Sequence, residues 1–153
     1  MTSKALQTVC AQCGAINRIA EGRLSASAAA KCGKCGHRLF PAEPEAVGGP
    51  IFERIIAKGD IPVLVDFWAP WCGPCRALAP VVEHVAQSLS PQVRVVKVNV
   101  DEAQDLAQRL GIRAIPTLAL FKAGREVQRT SGVMDQKALT DWTRQYLRLP
   151  EVA

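Results

Sequence analysis

The chain has few aromatic residues and no long hydrophobic run. Aromatic residues make up 5% of its 153 positions, and none of them lies within residues 1–39. No apolar stretch approaches the roughly 20 residues that cross a membrane. The first residues also lack the apolar core of about 7–15 residues that is typical of a secretory signal. We therefore expect a cytoplasmic protein with no membrane partner.

The charge balance is weakly basic and gives little reason to expect a nucleic-acid partner. The formal net charge is +5, and residues 1–49 contribute +3, from six Lys and Arg against three Asp and Glu. Four thiolates on one Zn²⁺ would lower that +3 to +1. Zinc ribbons also occur in nucleic-acid binders, but residues 1–39 offer no aromatic side chain for base stacking and only sparse cations. We expect no nucleic-acid binding.

Four of the six cysteines have the spacing of a metal site. Cytosolic thiols are kept reduced, so metal binding or catalysis is a better interpretation than structural disulfides. The spacing C-x2-C-x18-C-x2-C is that of a four-cysteine zinc site, in which the ion takes four thiolates tetrahedrally. Four free or transiently oxidised thiols are the alternative. The predicted ligands of one structural zinc ion are Cys10, Cys13, Cys32 and Cys35.

The segment around these cysteines is poor in core residues. Its apolar residues are mostly alanine, so metal affinity must supply much of its folding free energy, on the order of 10–16 kcal/mol for structural zinc sites. Four sulfurs complete the zinc shell, so His37 is interpreted as a surface histidine. The tight turns are expected to depend on glycines at Gly14, Gly33 and Gly36.

Composition divides the chain into three parts. Residues 1–39 form the four-cysteine module. Residues 40–50, "FPAEPEAVGGP", contain three prolines and two adjacent glycines and are interpreted as a linker. From residue 51 to residue 153, strand-like and helix-like runs alternate, which predicts a second domain of α/β class.

The last cysteine pair, in "WCGPC", lies in a different setting. It follows "IPVLVDFWAP", a near-continuous apolar run typical of a strand that is buried on both faces. Apolar residues then recur at helical spacing from Leu78 to Leu89. Cys72 is therefore expected at a strand-to-helix junction, where the helix N-terminus lowers a thiol pKa and makes it the attacking thiolate. Cys75, further inside, is the natural resolving thiol.

The rest of the chain predicts the order β-α-β-α-β-β-α. A buried strand, "VRVVKVNV", precedes a helix in "DEAQDLAQRLG" with Asp101 as its cap, and "TLALFKAGREVQRT" is typical of a hairpin. A closing helix, "DQKALTDWTRQYL", completes the pattern. One stripe of that helix is expected to carry Leu139, Trp142 and Tyr146.

Two charged residues interrupt apolar strands. Asp66 lies inside "IPVLVDFWA", and a buried carboxyl there should have a raised pKa. The alternative is an aspartate at a strand end that reaches solvent. Lys97 lies inside "VVKVNV" and could equally be a lysine whose stem lies along the strand while its ammonium reaches water.

The stretches "DFWAPWCGPC", "VKVNVD", "GIRAIPTLALFK" and "SGV" resemble the thioredoxin family over about residues 45–149. The four-cysteine segment is similar to that of the bacterial, zinc-binding thioredoxin-2 type. The resemblance implies an α/β thioredoxin fold, a central mixed sheet flanked by helices, with a small zinc-ribbon-like module at the N-terminus. The family's first strand is faint here, and only "EAV" before "GGP" could supply it.

The resemblance also implies roles for particular residues. Asp66 matches the family's buried acid, which takes a proton from the resolving thiol through water, and Lys97 matches its neighbour. Pro116 would be cis and face the cysteines, and Trp68 would pack beneath them. A shallow apolar groove for a substrate loop would comprise Trp71, Gly73, Pro74, Ile115, Gly132 and Val133.

The function implied is that of a monomeric dithiol–disulfide oxidoreductase that reduces protein disulfides through a redox-active disulfide, Cys72–Cys75. An NADPH-dependent thioredoxin reductase would recharge it, so the chain needs no nicotinamide or flavin site. The Gly-Pro dipeptide between the cysteines favours a reductase. Two alternatives remain open, a disulfide oxidase or isomerase, and a zinc-dependent binding or chaperone-like module with an inactive thioredoxin fold.

Overall fold

A computed structural model describes residues 4–149 of the chain, which contain seven strands, four α-helices and one 3-10 helix. Two sheets are present, a two-stranded one near the N-terminus and a five-stranded one that carries the larger core. In chain order the elements are β1 (Ala5–Val9), β2 (Ile16–Ala20), the 3-10 helix (Glu21–Ala26), β3 (Glu45–Ala46), α1 (Gly49–Lys58), β4 (Val63–Trp68), α2 (Gly73–Leu89), β5 (Arg94–Asn99), α3 (Gln104–Arg109), β6 (Thr117–Lys122), β7 (Arg125–Ser131) and α4 (Gln136–Leu147).

The five-stranded sheet is mixed, with strand order β3-β5-β4-β6-β7. Strands β3, β5 and β4 are parallel, whereas β6 runs antiparallel to β4 and β7 antiparallel to β6. Alternation along β4 places Val65 and Phe67 in the core under α1 and α3, and Leu64 in the core under α2 and α4. Asp66 shares the α2 side with Leu64. The α/β fold class, a mixed sheet flanked by helices, is confirmed.

The predicted order β-α-β-α-β-β-α is present from β4 to α4, but two preceding elements complete the sheet domain. Strand β3 is only two residues long and pairs with Val96 and Lys97 of β5. Helix α1 was not predicted, and it begins at Gly49, inside the glycine- and proline-rich stretch interpreted as linker. Pro50 is compatible with a helix there because the first turn has backbone N–H groups without intrahelical partners.

The prediction that Asp101 caps a helix is wrong. Helix α3 begins at Gln104, with Ala103 as its N-cap. The chain makes a turn first, in which the Asn99 carbonyl accepts hydrogen bonds from the Glu102 and Ala103 N–H groups. The Asp101 carboxylate accepts a hydrogen bond from a tryptophan beside the last cysteine pair instead, and is therefore not a cap.

The predicted stripe on α4 is only partly right. The residues of α4 that are buried are Leu139, Thr143 and Leu147, at a spacing of four. Trp142 is half-buried, and Tyr146 is 40% exposed. The two aromatic residues lie beside the buried stripe. The sequence did not indicate the true stripe because one of its members, Thr143, is polar and gives no hydrophobic signal.

The N-terminal module contains two similar cysteine turns, one between β1 and β2 and one after the 3-10 helix. In each turn the glycine after the second cysteine donates its N–H to the first cysteine's carbonyl, at Gly14 and Gly36, where φ is 78° and 80°. Only glycine adopts this backbone conformation without strain. Gly33 was expected to share that role, but it has no positive φ and its N–H donates to the Asn17 side chain instead.

The module is packed against the sheet domain. Val9 is fully buried in the same core as β4 and α1. Phe40 and Ile61 pack with Cys10 and Cys32 in a second cluster. No helix within residues 4–149 combines the length and the hydrophobicity needed to cross a lipid bilayer.

Candidate active site and metal centre

The cysteines of "WCGPC" lie at the start of α2, directly after β4. Cys72 is the N-cap of α2 and Cys75 lies in its first turn, and the two are joined as a disulfide with Cα atoms 5.2 Å apart. The Cys75 N–H points at the Cys72 sulfur at 3.2 Å. When the pair is reduced, this donor and the N-terminus of a 17-residue helix favour a thiolate at Cys72.

The sequence between the cysteines suits a helix start. Pro74 lies in the first turn of α2, where the N–H that proline lacks would have no intrahelical partner. The turn from β4 is closed by a hydrogen bond from the Cys72 N–H to the Ala69 carbonyl at 3.2 Å. Cys72 and Cys75 are only 4% and 3% exposed.

A second loop faces the disulfide. The Ile115–Pro116 peptide bond is cis, and the Ile115 carbonyl oxygen lies 3.8 Å from the Cys72 sulfur. The Pro116 carbonyl accepts a hydrogen bond from the Gly132 N–H at 3.0 Å. The loop at residues 115–116 thus lies against Cys72, and Gly132 is hydrogen-bonded to that loop.

Apolar surface surrounds this junction. Trp71 is 66% exposed and Val133 is 53% exposed. The Trp71 indole donates a hydrogen bond to the Asp101 carboxylate at 2.8 Å, which fixes the ring beside the cysteines. Gly73 and Pro74 are exposed as well, whereas Ile115 and Gly132 are half-buried.

Asp66 is the buried charged group of β4. Its side chain is 3% exposed, and its Oδ1 has no hydrogen-bond partner among residues 4–149. Burial raises the pKa of Asp66 from 3.8 to about 6, and the positive charge of Lys97 opposes that rise. Asp66 and Lys97 are directly paired in the sheet. The structure thus excludes the alternative of a solvated aspartate at a strand end.

Lys97 is half-buried, and its ammonium group lies over an aromatic ring. The Nζ atom lies 4.3 Å from the centroid of the Trp68 ring, a cation–π arrangement. Trp68 itself packs against the cluster formed by Ala69, Cys72 and Cys75. Trp68 thus contacts both the Lys97 ammonium and the cysteine cluster, and Lys97 is the sheet neighbour of Asp66.

The four N-terminal cysteines converge. Their sulfur atoms all lie within 4.8 Å of one another, with Cys10 and Cys35 3.6 Å apart and Cys13 and Cys32 3.7 Å apart. Metal–sulfur distances of about 2.3 Å in a tetrahedron give sulfur–sulfur edges of about 3.8 Å. The thiol set therefore has the size and the chemistry to hold one tetrahedral metal ion.

Backbone and side-chain N–H groups point at these sulfurs. Gln12 N–H donates to Cys10, and Lys34 N–H and the Asn17 side-chain amide donate to Cys32, each at 3.4 Å. The Asn17 hydrogen bond lowers the pKa of Cys32 to about 6, whereas burial raises that of Cys10 to about 12. Asn17 has no signature in the sequence, because it reaches the cluster from β2. The N–H donors stabilise the thiolate form that metal binding needs.

His37 does not join the cluster. Its Nε2 atom lies 3.5 Å from the Glu45 carboxylate, with 35% of the side chain exposed.

Comparisons with known proteins agree with this geometry. The family model described as "Thioredoxin" matches residues 44–145, and a zinc-ribbon model described as "Thioredoxin 2, N-terminal" matches residues 9–37. "Thioredoxin C-3" of Corynebacterium nephridii is 39% identical over 140 residues, 92% of this chain and 94% of that protein. "Thioredoxin 1" of Synechococcus elongatus is 49% identical over 102 residues, 67% of this chain and 95% of that protein.

Among solved structures, a mutant thioredoxin from Halobacterium salinarum aligns with a TM-score of 0.64 and 41% identity, covering 72% of this chain and 96% of that one. The chain belongs to the thioredoxin family. Its enzyme class is that of the family, protein disulfide oxidoreductase, and the resemblance found in the sequence is confirmed. The zinc-ribbon match and the four converging thiols support metal binding by the N-terminal module.

Proposed function

We propose that the chain reduces disulfides in protein substrates through Cys72 and Cys75, by way of a mixed disulfide. The observation that carries this proposal is the position of Cys72. It is the N-cap of a long helix, receives an N–H at its sulfur, and borders exposed apolar surface. Disulfide exchange requires a stabilised thiolate that lies next to a surface on which a substrate can bind.

The reaction takes place in two exchanges. The Cys72 thiolate attacks one sulfur of the substrate disulfide, so that a Cys72–substrate bond forms and the substrate S–S bond breaks, releasing one substrate thiolate. The Cys75 thiolate then attacks the Cys72 sulfur, which forms the Cys72–Cys75 disulfide and releases the second substrate thiolate. The substrate gains two electrons from the dithiol, and the leaving thiolates take up protons.

Asp66 is proposed to accept the proton that Cys75 loses in the second exchange. A carboxyl with a pKa of about 6 is largely ionised at neutral pH yet holds a proton far better than an ordinary aspartate. Lys97 is proposed to act with it, because its ammonium lies next to Asp66 in the sheet and limits how far the pKa rises.

The substrate is proposed to dock on the exposed surface around Cys72. The Ile115 backbone at the cis bond would pair with an extended substrate loop, as peptides pair with sheet edges. Support comes from the Ile115 carbonyl 3.8 Å from the Cys72 sulfur and from the exposure of the neighbouring side chains. The proposed docking residues are Trp71, Gly73, Pro74, Ile115, Pro116, Gly132 and Val133.

The metal held by the four N-terminal cysteines is proposed to be zinc. Thiolate ligands in a tetrahedral set of four are typical of structural zinc sites, which supply folding free energy and take no part in the exchange reaction. We also propose that the protein is a cytoplasmic monomer and that it binds no nucleic acid. An NADPH-dependent thioredoxin reductase is proposed to recharge it.

A trapping experiment tests the proposed function. Cys75→Ser should form stable mixed disulfides with substrates, visible as covalent adducts in intact-mass spectra, because no thiol remains to release them. Cys72→Ser is the matched control and should trap far less. The wild type should reduce insulin disulfides. Equal trapping by both variants would reverse the assignment, and a wild type without turnover would favour the inactive binding module.

The reduction potential of the Cys72–Cys75 pair separates a reductase from an oxidase or isomerase. Strongly oxidising relatives in the wider superfamily have values near −120 to −180 mV, and a value in that range would favour the alternative. The Gly-Pro dipeptide supports a more negative potential.

A further inference from the structure

A groove of about 730 Å³ lies in the N-terminal module. Residues 18–20 of β2 form part of its lining, and the rest comes from Arg23 and from alanine and serine side chains between residues 26 and 30. Because most of these side chains are small, the groove has room for another segment of backbone.

The β1–β2 sheet has two edges, and the sheet domain covers the edge of β1. The Gln7 N–H donates to the Asp60 carboxylate, and the Gln7 carbonyl accepts from the Asp60 N–H, both at 2.8 Å. The Val9 carbonyl accepts a hydrogen bond from Arg94. The outer edge of β1 is therefore occupied.

The outer edge of β2 is open. Gln7 lies opposite Arg18, and because the backbone groups of Gln7 point away from β2, those of Arg18 point away from β1. The Glu21 N–H donates to the Lys4 carbonyl at 2.9 Å, and the same alternation turns the Ala20 N–H outward. These outward groups have no hydrogen-bond partner within residues 4–149. Such an edge can pair with another chain.

The side chains of β2 alternate between two faces. Arg18 and Ala20 are exposed on one face, and Ile19 is half-buried on the other. Ile19 packs against the cluster that contains Cys10 and Cys32. A strand added at this edge would continue both faces, so its side chains would meet a charged surface on one face and an apolar surface on the other.

The charge of the groove is positive. Arg18 and Arg23 are both exposed, and neither guanidinium has a hydrogen bond or an ion pair within residues 4–149. None of the lining residues in the described part of the chain is acidic. Residues 1–39 as a whole contain six Lys and Arg against one acidic residue, Glu21. Opposite charges on neighbouring strands stabilise their pairing, so the groove favours an acidic strand.

A nucleic-acid strand is also acidic, but it suits the groove less well. The described lining contains no aromatic side chain on which a base could stack. A sugar–phosphate backbone also lacks the alternating N–H and C=O groups that complete a β-ladder. An extended peptide matches both the open edge and the charge.

We propose that this groove binds an extended acidic segment of a partner protein, which adds a third strand to the β1–β2 sheet. The backbone of the segment pairs with β2 at Arg18 and Ala20, as peptides add to sheet edges. Its acidic side chains lie beside Arg18, and the small apolar side chains between them lie beside Ile19. The N-terminal module thereby binds a partner at a surface that contains none of the residues proposed for disulfide exchange.

The first test is direct binding to the oxidised, metal-loaded full chain. The probe is a short fluorescein-labelled peptide that alternates Glu and Val, followed by fluorescence anisotropy at low salt. It should bind, and added salt should weaken the binding. The same peptide with Lys in place of Glu should not bind. A copy methylated at its backbone nitrogens should bind about tenfold or more weakly, because it cannot donate to the strand edge.

A backbone variant tests the strand edge. Ala20→Pro removes the outward N–H, and the Ala20 φ of −63° is the value that proline requires, so the variant should fold. It should weaken peptide binding about 3–10-fold, which is the effect of one lost hydrogen bond. Ala20→Val is the matched control, since it keeps the N–H and should bind as the wild type does. Circular dichroism and zinc content check that both variants fold.

Charge variants test the two arginines. Arg18→Gln and Arg23→Gln should each weaken peptide binding about 2–5-fold, as expected for exposed charge pairs. Lys58→Gln is the control, because it removes the same charge from an exposed residue whose carbonyl contacts Gln7 on the covered side of the sheet. In ¹H–¹⁵N NMR spectra, the peptide should shift the Arg18 and Ala20 amide signals and slow their hydrogen exchange.

The outcomes that would overturn the proposal are specific. They are the absence of binding, unchanged Arg18 and Ala20 amide signals at saturation, and equal binding of the methylated peptide, which would indicate charge attraction without strand pairing. Binding of an oligouridylate at the same amides with higher affinity than the peptide would show a nucleic-acid site instead. None of these measurements involves disulfide exchange, so their result does not depend on whether the chain is a reductase.

Discussion

Asp66 is a residue whose ionisation opposes folding. Its pKa rises from 3.8 to about 6 because the carboxylate is buried, with Lys97 only partly offsetting the loss of water. The folded chain therefore holds the Asp66 proton more tightly than the unfolded chain. Stability falls as the pH rises from about 4 to about 6, and the full cost is present above pH 6. A pKa raised from 3.8 to about 6 corresponds to about 3 kcal/mol.

Asp66→Asn should accordingly stabilise the fold in a pH-dependent manner. At pH 8 the variant should exceed the wild type by up to about 3 kcal/mol in the free energy of unfolding, because the amide carries no charge to bury. Below about pH 3 the advantage should nearly vanish, because Asp66 is then largely protonated in both states. Urea denaturation at a series of pH values measures the difference. A constant difference across this range would show that packing, and not ionisation, dominates.

The environment of a single residue could be predicted where the neighbouring sequence determines it. Apolar neighbours on both sides of Asp66 indicated its burial, and cysteine spacing indicated the four-thiol cluster that the structure brings together. Asn17 and Arg94 could not be found in this way. Their contacts with Cys32 and with Val9 connect segments that only the folded chain brings together.

At the level of elements, the β6–β7 hairpin contains a local conflict. Its two turn residues, Ala123 and Gly124, both have positive φ, 53° and 80°. Such turns match the twist of a hairpin and favour Asn-Gly, whereas alanine in a left-handed conformation is strained. The hairpin therefore forms despite its first turn residue.

Ala123→Asn should stabilise the chain by about 0.5–1 kcal/mol, because asparagine tolerates the left-handed conformation better than alanine. The matched control is Gly124→Ala, which should destabilise it by a similar amount although no atom lies closer than 4.0 Å to the added methyl group. Denaturant midpoints at an unchanged slope report both effects. A loss of stability in Ala123→Asn would contradict this account of the turn.

Helices and strands in which apolar residues recur at regular spacing could be predicted, whereas short or irregular elements could not. Strand β4 is buried along nearly its whole length, and helix α2 runs for 17 residues with buried residues at the expected helical spacing. Strand β3 has two residues, and α1 starts within a Gly-Gly-Pro stretch that is typical of a linker. The division into residues 1–39, 40–50 and 51–153 stays a prediction.

At the scale of the whole molecule, a buried ion pair connects the module to the sheet domain. Arg94 of β5 is 5% exposed, pairs with Glu45 at 2.9 Å, and also donates to the Val9 carbonyl of β1. His37 approaches the other oxygen of Glu45 at 3.5 Å. One arginine thus bridges β1, β3 and β5, so the two parts of the chain should unfold together.

Arg94→Met should cost about 3–5 kcal/mol in the free energy of unfolding, because it leaves the Glu45 carboxylate buried without its charge partner. Glu45→Gln should also destabilise the chain. The double variant should be more stable than the sum of the two losses predicts, since it leaves no unpaired buried charge. A double-mutant cycle by denaturation measures this coupling, and strictly additive losses would show that the pair does not join the two parts energetically.

The six cysteines are proposed to have two separate functions: four are metal ligands and two form a redox couple. The most direct test measures zinc content and thiol reactivity together on the reduced, purified chain. We expect about one zinc ion and about two reactive thiols per chain, with all six cysteines reacting only after chelation in denaturant. Absence of bound zinc with all six thiols reactive in the native chain would contradict it, as would loss of zinc when only Cys72 and Cys75 are modified.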